Sequence, residues 1–216
     1  RTPDVRVLIP TYAHTGTEIG DFSGIEGNLT FLGEELRERY GVALEPLESL
    51  EDPALWRALN GRFGSVLAER YGAWVPCVGC HLYLHLMRVP LALRREAPVV
   101  ISGEREWHGT ATKPNQMSRA LDAYSAVLGH VGVELALPVR DVAETSAIDA
   151  LLGGRWVGGS PQLECVLSGN YRGIDGAGVV LELPDAFFSE FLVPAGKRLL
   201  SALLAGDSGY DAIVAD

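Results

Sequence analysis

Three cysteines carry the strongest chemical signal in this chain. Cys77-Val-Gly-Cys80 forms a C-x-x-C pair, and Cys165 follows far downstream. A C-x-x-C turn lets two thiolates point at one metal ion, and a third cysteine from another element can close the site. Three thiolates leave one coordination position open, as a catalytic metal site or an iron–sulfur cluster does, whereas structural zinc takes a fourth ligand. His81 and His85 are at hand to be that ligand. A redox C-x-x-C pair, or three unrelated core thiols, are the other readings of the same residues.

Two further groups of residues have types suited to chemistry. The stretch 102–116 offers Glu104, Arg105, His108, Lys113 and Asn115 within a few residues. These are acid–base and phosphate-contacting groups. They follow Pro98–Ser102, the clearest buried-strand pattern in the chain, and open α/β sheets bind ligands at the carboxyl ends of their strands. The turn His14-Thr15-Gly16-Thr17-Glu18 follows the first apolar run and could line a nucleotide site through hydroxyls and backbone amides. Arg88, Arg94 and Arg95 form a small basic cluster that reads as a solvated helix face.

The elements that must position these groups alternate. Val5–Thr11 reads as a buried strand, Asn28–Tyr40 as a helix stopped by Gly41, and Val42–Leu47 as a second strand. Asp52–Tyr71 has helical spacing, with Pro53 suited to its first turn. His81–Arg95 reads as an apolar helix with Pro90 inside it, Met117–Leu128 as a helix and Val133–Pro138 as a strand. Such alternation predicts βαβ units and a mostly parallel, Rossmann-like α/β sheet with helices on both faces. The pattern changes after residue 140, so residues 1–140 are expected to form the core, and 141–216 a small C-terminal α/β extension contributing Cys165. That extension should hold a helix at Ser146–Leu152, a strand at Val179–Leu183 and a long helix from Pro184 to Ala205. The aromatics Phe187, Phe188 and Phe191 are expected in the core rather than at a homodimer interface.

Composition narrows the class. The chain has 216 residues, 47% of them apolar and 21% charged, the balance of a globular protein. No apolar run reaches the ~20 residues that span a bilayer. Eighteen Lys and Arg against 28 Asp and Glu give a formal charge of −10, which opposes sequence-independent nucleic-acid binding. Three cysteines and no visible secretion signal point to a reducing, cytoplasmic setting.

The run of strand, His-Thr-Gly-Thr-Glu turn, helix ending Arg-Tyr-Gly-Val and strand resembles part of the PP-loop ATP pyrophosphatases of the adenine nucleotide alpha-hydrolase-like superfamily. The cysteine pattern Cys77-x-x-Cys80…Cys165 is similar to that of its sulfur-inserting branch. The resemblance, over roughly residues 5–170, implies a 4Fe–4S cluster on Cys77, Cys80 and Cys165, and ATP with Mg2+ as the activating co-substrate. It implies that ATP adenylates a substrate oxygen and that sulfur then displaces AMP, giving thiolation or, in reverse, desulfuration. Arg105 and Lys113 would then face phosphate, Glu104 or His108 would move a proton, and His14, Thr15, Gly16, Thr17 and Asn115 would line the nucleotide. A small-molecule or carrier-bound substrate is expected over tRNA, with a separate sulfur donor. Within the same superfamily, an adenylate-forming amide or C–N ligase with zinc in the cysteine site is the alternative, and a nucleotide-binding module without turnover is another. The family's Ser-Gly-Gly-x-Asp-Ser loop is not among these residues; it is expected upstream of Arg1 or from another chain.

Overall fold

A computed structural model describes residues 6–106, 113–152, 163–167, 172–173 and 183–215. Its described part is a mixed α/β arrangement in which short parallel strand pairs sit among longer helices. The first apolar run divides at Pro10, which has no N–H to give a ladder. Its two pieces are β1 (Val7–Leu8) and β2 (Thr11–His14). A two-residue strand β3 (Glu18–Ile19) follows the Gly16 turn, and α1 (Ser23–Tyr40) starts five residues earlier than its periodicity predicts. Gly41 ends α1 in the left-handed conformation expected of it.

Next come β4 (Ala43–Leu44) and β5 (Glu48–Glu51), each parallel to its mate: β1 pairs with β4 and β2 with β5. The helix expected over Asp52–Tyr71 is two helices, α2 (Pro53–Asn60) and α3 (Gly64–Tyr71), broken at the Gly61-Arg62-Phe63 turn. Asp52 caps α2 by accepting the Leu55 N–H at 3.0 Å, and Pro53 occupies the first turn. The strand β6 (Ala73–Trp74) leads into α4 (Pro76–Arg94). This helix begins at Pro76 rather than His81, so Cys77 lies in its first turn and Cys80 at the start of its second.

The remaining described elements are β7 (Val99–Ile101), a 3-10 turn at Pro114–Gln116, α5 (Ser118–Gly129), β8 (Glu134–Ala136), α6 (Thr145–Leu152), β9 (Glu164–Cys165) and β10 (Arg172–Gly173). A π-helical turn at Phe187–Leu192 continues directly into α7 (Val193–Ala205), and α8 (Tyr210–Ala215) follows. β7 and β8 are parallel, while β3–β9 and β6–β10 are antiparallel. The strand expected at 179–183 lies, apart from Leu183, outside the described residues.

Helix α4 is the axis of the core. It packs against α2, α5, α7, β2 and β7. Leu82, Tyr83, Leu86 and Val89 on α4 are fully buried, as are Leu121, Tyr124 and Leu128 on α5 and Leu199 and Leu200 on α7. Phe187 and Phe188 are buried in the same cluster, so the C-terminal helices share one core with the strand pairs. The fully buried Tyr83 and Tyr124 keep their hydroxyls satisfied, as burial requires. Tyr124 Oη lies 3.0 Å from the Val78 carbonyl and 3.1 Å from that of Asn115. No helix among the described residues is long and apolar enough to cross a membrane.

Candidate functional site

The three cysteines line one cavity of about 860 Å3. Cys77 and Cys80 reach it from the first two turns of α4, three residues apart and therefore on one helix face. The start of a helix presents unpaired N–H groups and the positive end of its dipole, which favours thiolates there. Burial acts against this and is the larger effect at Cys80, whose thiol is pushed up to about 12. The Trp56 indole N–H, 3.4 Å from the Cys80 sulfur, pulls the other way, and the nearby Cys77 and Cys165 thiols add to the rise. A bound cation reverses this balance, because a coordinated thiol is deprotonated outright.

Cys165 arrives by a different route. β9 lies antiparallel to β3, with Glu18 opposite Cys165 and Ile19 opposite Glu164. The Val166 N–H donates to the Thr17 carbonyl at 2.9 Å, and the Thr17 hydroxyl lies 3.2 Å from the Cys165 sulfur. The His14–Glu18 turn is therefore the cradle of the third cysteine. Gly16 adopts a positive φ of 74°, which a side chain would strain. Glu18 accepts the Thr15 N–H at 2.6 Å, and the Thr15 and Thr17 hydroxyls are 2.7 Å apart. Burial tends to raise the Glu18 carboxyl, but these backbone hydrogen bonds outweigh it and hold it below its ordinary value.

The far wall is a histidine–carboxylate network. Glu104, 6% exposed, is hydrogen-bonded to His81 Nδ1 and, at 3.3 Å, to His85 Nε2. Burial alone would raise the Glu104 carboxyl, but the bonds from the two histidines prevail and hold it down to about 2. His85 is fully inside the core and burial lowers its pKa, so it is neutral and serves Glu104 as an Nε2–H donor. Asn115 Nδ2 lies 2.9 Å from His81 Nε2. His81 is thus held between Glu104 and Asn115 and is partly open to the cavity.

The sequence-predicted residues distribute unevenly. Cys77, Cys80, Cys165, Thr15, Thr17, Lys113 and Asn115 line the cavity, and Glu104 stands behind His81. Arg105 donates to the Thr145 hydroxyl at 2.8 Å and is outside the cavity lining. His14 also stands outside it, bonded to Ser49 at 2.8 Å and packed on Tyr12 and Phe22. His108 lies outside the described residues.

Two further cavity residues, His81 and Arg88, depart from what the sequence predicts. The sequence offers His81 as a candidate fourth ligand and carries no sign of its bracing by Glu104. Arg88 corrects the reading of a solvated basic face: it turns inward beneath β2, with Nε 2.8 Å from the Thr11 hydroxyl, and a further bond to the Leu84 carbonyl. Only Arg94 and Arg95 are on the exposed side. The signal for Arg88 was present in its spacing, since it falls on the same α4 face as His81 and His85.

The donor set of three thiols and one carboxylate-braced imidazole around a common space suits a soft metal centre or an iron–sulfur cluster. Among the described residues, no group of three or more His, Cys, Asp or Glu side chains is drawn together around a single ion position.

No family model matches the chain, and no solved structure matches it. It is 36% identical over 210 residues to the uncharacterized protein MJ0009 of Methanocaldococcus jannaschii, a match that covers 96% of this chain and 75% of that protein. With that identity over nearly its whole length, the chain belongs to the same family as this archaeal protein.

Proposed function

We propose that this protein is an ATP-dependent sulfur-transfer enzyme of the PP-loop pyrophosphatase type, built on a Rossmann-like sheet, with a 4Fe–4S cluster held by Cys77, Cys80 and Cys165. The observation that carries the reading is the meeting of these three cysteines, from two distant parts of the chain, at one cavity of about 860 Å3. That volume is in the range of small-molecule and cofactor sites. A cluster also separates its thiolates more widely than a single ion does, in keeping with donors spread around a shared space.

When bound on three thiolates, the cluster supplies an iron with an open position, able to carry the sulfur to be transferred. The substrate oxygen attacks the α-phosphorus of ATP–Mg2+, and pyrophosphate leaves. Sulfide from a separate donor then forms the carbon–sulfur bond as the carbon–oxygen bond to AMP breaks. No net oxidation occurs, and desulfuration is the reverse exchange. Lys113 and Arg88, both on the cavity, offset the negative charge of phosphate groups. Glu104 and Asn115 fix the ring of His81 beside Cys80, and Thr17 orients the Cys165 sulfur. The acidic chain favours a small-molecule or carrier-bound substrate over tRNA, and chemistry of this kind belongs in the reducing cytoplasm.

A second reading has one observation in its favour. A histidine backed by a buried carboxylate is the usual form of a metal-bound imidazole, and His81–Glu104 has that form. Zinc on the three cysteines and His81 would be structural, and the chemistry would become adenylate-dependent amide or C–N bond formation.

Iron, zinc and acid-labile sulfide analysis with a visible spectrum, on protein purified without oxygen, decides between them. About four irons and four sulfides per chain, lost on Cys165→Ala, is the expected result. One zinc without sulfide refutes the sulfur-transfer reading and leaves the second one. Pyrophosphate release from ATP with candidate substrates then tests adenylation directly.

A further inference from the structure

Three hydrogen-bond donors around the cysteines are aimed at sulfur. The Trp56 indole N–H lies 3.4 Å from Cys80 Sγ. On the other side, the Leu167 N–H lies 3.4 Å from Cys165 Sγ and the Thr17 hydroxyl 3.2 Å from it. The threonine pair is arranged for donation. Thr15 Oγ1 accepts the Thr17 N–H at 3.2 Å and can give its own proton to Thr17 Oγ1, 2.7 Å away, which leaves the Thr17 proton for the sulfur.

These donors are poorly matched to cysteines that stay thiols. A thiol sulfur is a weak acceptor, and an indole can only donate. A partly buried N–H is ordinarily matched to a stronger acceptor, and the chain shows that alternative close by. Trp74 gives its indole N–H to the Asn60 carbonyl at 2.8 Å, at the end of the same helix α2 that carries Trp56. A thiolate is a different partner, since hydrogen bonds to an ionised group are roughly twice as strong as neutral ones. The donors therefore fit coordinated, deprotonated cysteines better than free ones. Trp56 is also well held for this task. It lies in α2, which Asp52 caps and which packs along α4. Its ring packs against the core cluster, and its carbonyl accepts Asn60 Nδ2 at 3.1 Å.

We propose that Trp56 is a positioning residue for the centre held by these cysteines: its indole N–H bonds the coordinated Cys80 sulfur, as the Leu167 N–H and the Thr17 hydroxyl bond that of Cys165. The bonds strengthen as the sulfurs become thiolates, so they favour the metal-bound state over the free one. They also ease reduction of a cluster, because part of the added negative charge falls on the sulfurs they face. This role presupposes the thiolate-bound centre proposed above, iron–sulfur or zinc, and none of the adenylation chemistry.

The test compares Trp56→Phe, which keeps an aromatic ring and removes the N–H, with Trp74→Phe, the same exchange at an indole bonded to a carbonyl. The probe is cobalt(II) alone, added without oxygen to the 216-residue chain and read by its thiolate-to-cobalt charge-transfer band. Trp56→Phe should weaken cobalt binding about 10–100-fold. It should also move the band to longer wavelength, because a sulfur without its donor yields an electron more readily. Trp74→Phe should change the affinity by less than about twofold and leave the band in place, although it too loses one indole hydrogen bond. A measurement on the parent chain needs no variant to fold: on addition of cadmium(II), the Trp56 indole proton should move downfield in the NMR spectrum while that of Trp74 stays. Unchanged affinity and band in Trp56→Phe overturn the proposal, as does a Trp56 indole proton that cadmium leaves in place. An equal loss in Trp74→Phe also overturns it, by making the effect one of packing. A parent chain without any thiolate band in cobalt refutes the cysteine centre itself, and this role with it.

Discussion

Gly79 sits between the two cysteines of the C-x-x-C pair, where α4 passes α2 at its closest. A Cβ built on Gly79 would lie 2.5 Å from Asn60 Oδ1 and 3.1 Å from the Leu59 carbonyl oxygen. Neither neighbour gives way readily. Asn60 is 2% exposed and its amide is held by donation to the Trp56 carbonyl at 3.1 Å, while Leu59 O belongs to the backbone of α2. Gly79→Ala should therefore force the helices apart, and with contacts this short the cost falls at ~2–3 kcal/mol, the upper part of the range typical of overpacking. The better helix propensity of alanine returns up to ~1 kcal/mol, leaving a net loss of about 1–2 kcal/mol. For a chain of this size each kcal/mol is worth ~2–4 °C, so Tm should fall by about 2–8 °C. Gly27→Ala is the control. Gly27 lies within α1 and a Cβ there meets nothing within 4 Å, so the same exchange should stabilise by ~0.5–1 kcal/mol. Thermal unfolding by circular dichroism, with urea midpoints at fixed pH, reads both. A Gly79→Ala variant as stable as the parent chain, or more so, would refute the close approach that places Cys80 in the cavity.

The buried carboxylate makes a pH prediction. Glu104 is held to about 2 in the fold against an ordinary 4.5, so its contribution is present above about pH 4.5 and is lost as pH falls toward 2. The full gap corresponds to roughly 3 kcal/mol; Glu104→Gln should lower stability at pH 7 and flatten the acid limb of the urea midpoint between about pH 5 and 3. Burial lowers the His85 pKa in the fold, so as pH falls below about 6.5 the unfolded state takes up this proton before the folded state does, which adds to the loss of stability toward acid. Asp52 caps α2 and also accepts the Tyr210 hydroxyl at 2.9 Å, tying α8 to the same helix. Asp52→Ala should cost about 1–2 kcal/mol by urea unfolding, and Asp52→Asn much less, since asparagine is an equally good cap.

The helices were legible because their information is local. Asp52-Pro53 announced α2, Gly41 closed α1, and the apolar spacing of residues 81–94 marked the buried face of α4. Their errors are local too. The Gly61-Arg62-Phe63 turn broke a continuous periodicity, and Pro76, five residues before the start that apolar spacing marks at His81, fits the first turn of a helix whose first N–H groups need no partner. The strands were harder. Val5–Thr11 looks like one strand because apolar periodicity takes no account of hydrogen bonding, and Pro10 matters only through the N–H it lacks.

At the site, residue type identified the donors, while their assembly depended on contacts that leave little trace in sequence. C-x-x-C spacing places two thiols on one helix face, so Cys77 and Cys80 could be paired from the chain alone. Cys165 is brought to them by a ladder of two residues, Glu18–Ile19 against Glu164–Cys165, and a two-residue strand has no alternation to detect. The polar loop illustrates the opposite error, a cluster that was too persuasive. Glu104, Arg105 and Lys113 look like one set of catalytic groups because they are close in sequence. Successive residues of an extended segment point to opposite sides, so Glu104 turns in to His81 and His85 while Arg105 turns away to Thr145. The group that does stand beside the thiols, His81, owes its orientation to Glu104 and Asn115 on a different part of the chain. Its role follows from a fixed ring beside Cys80, and helix periodicity gave only half of that: it put His81, His85 and Arg88 on one face, and the neighbours across that face decided which of them reach the cavity.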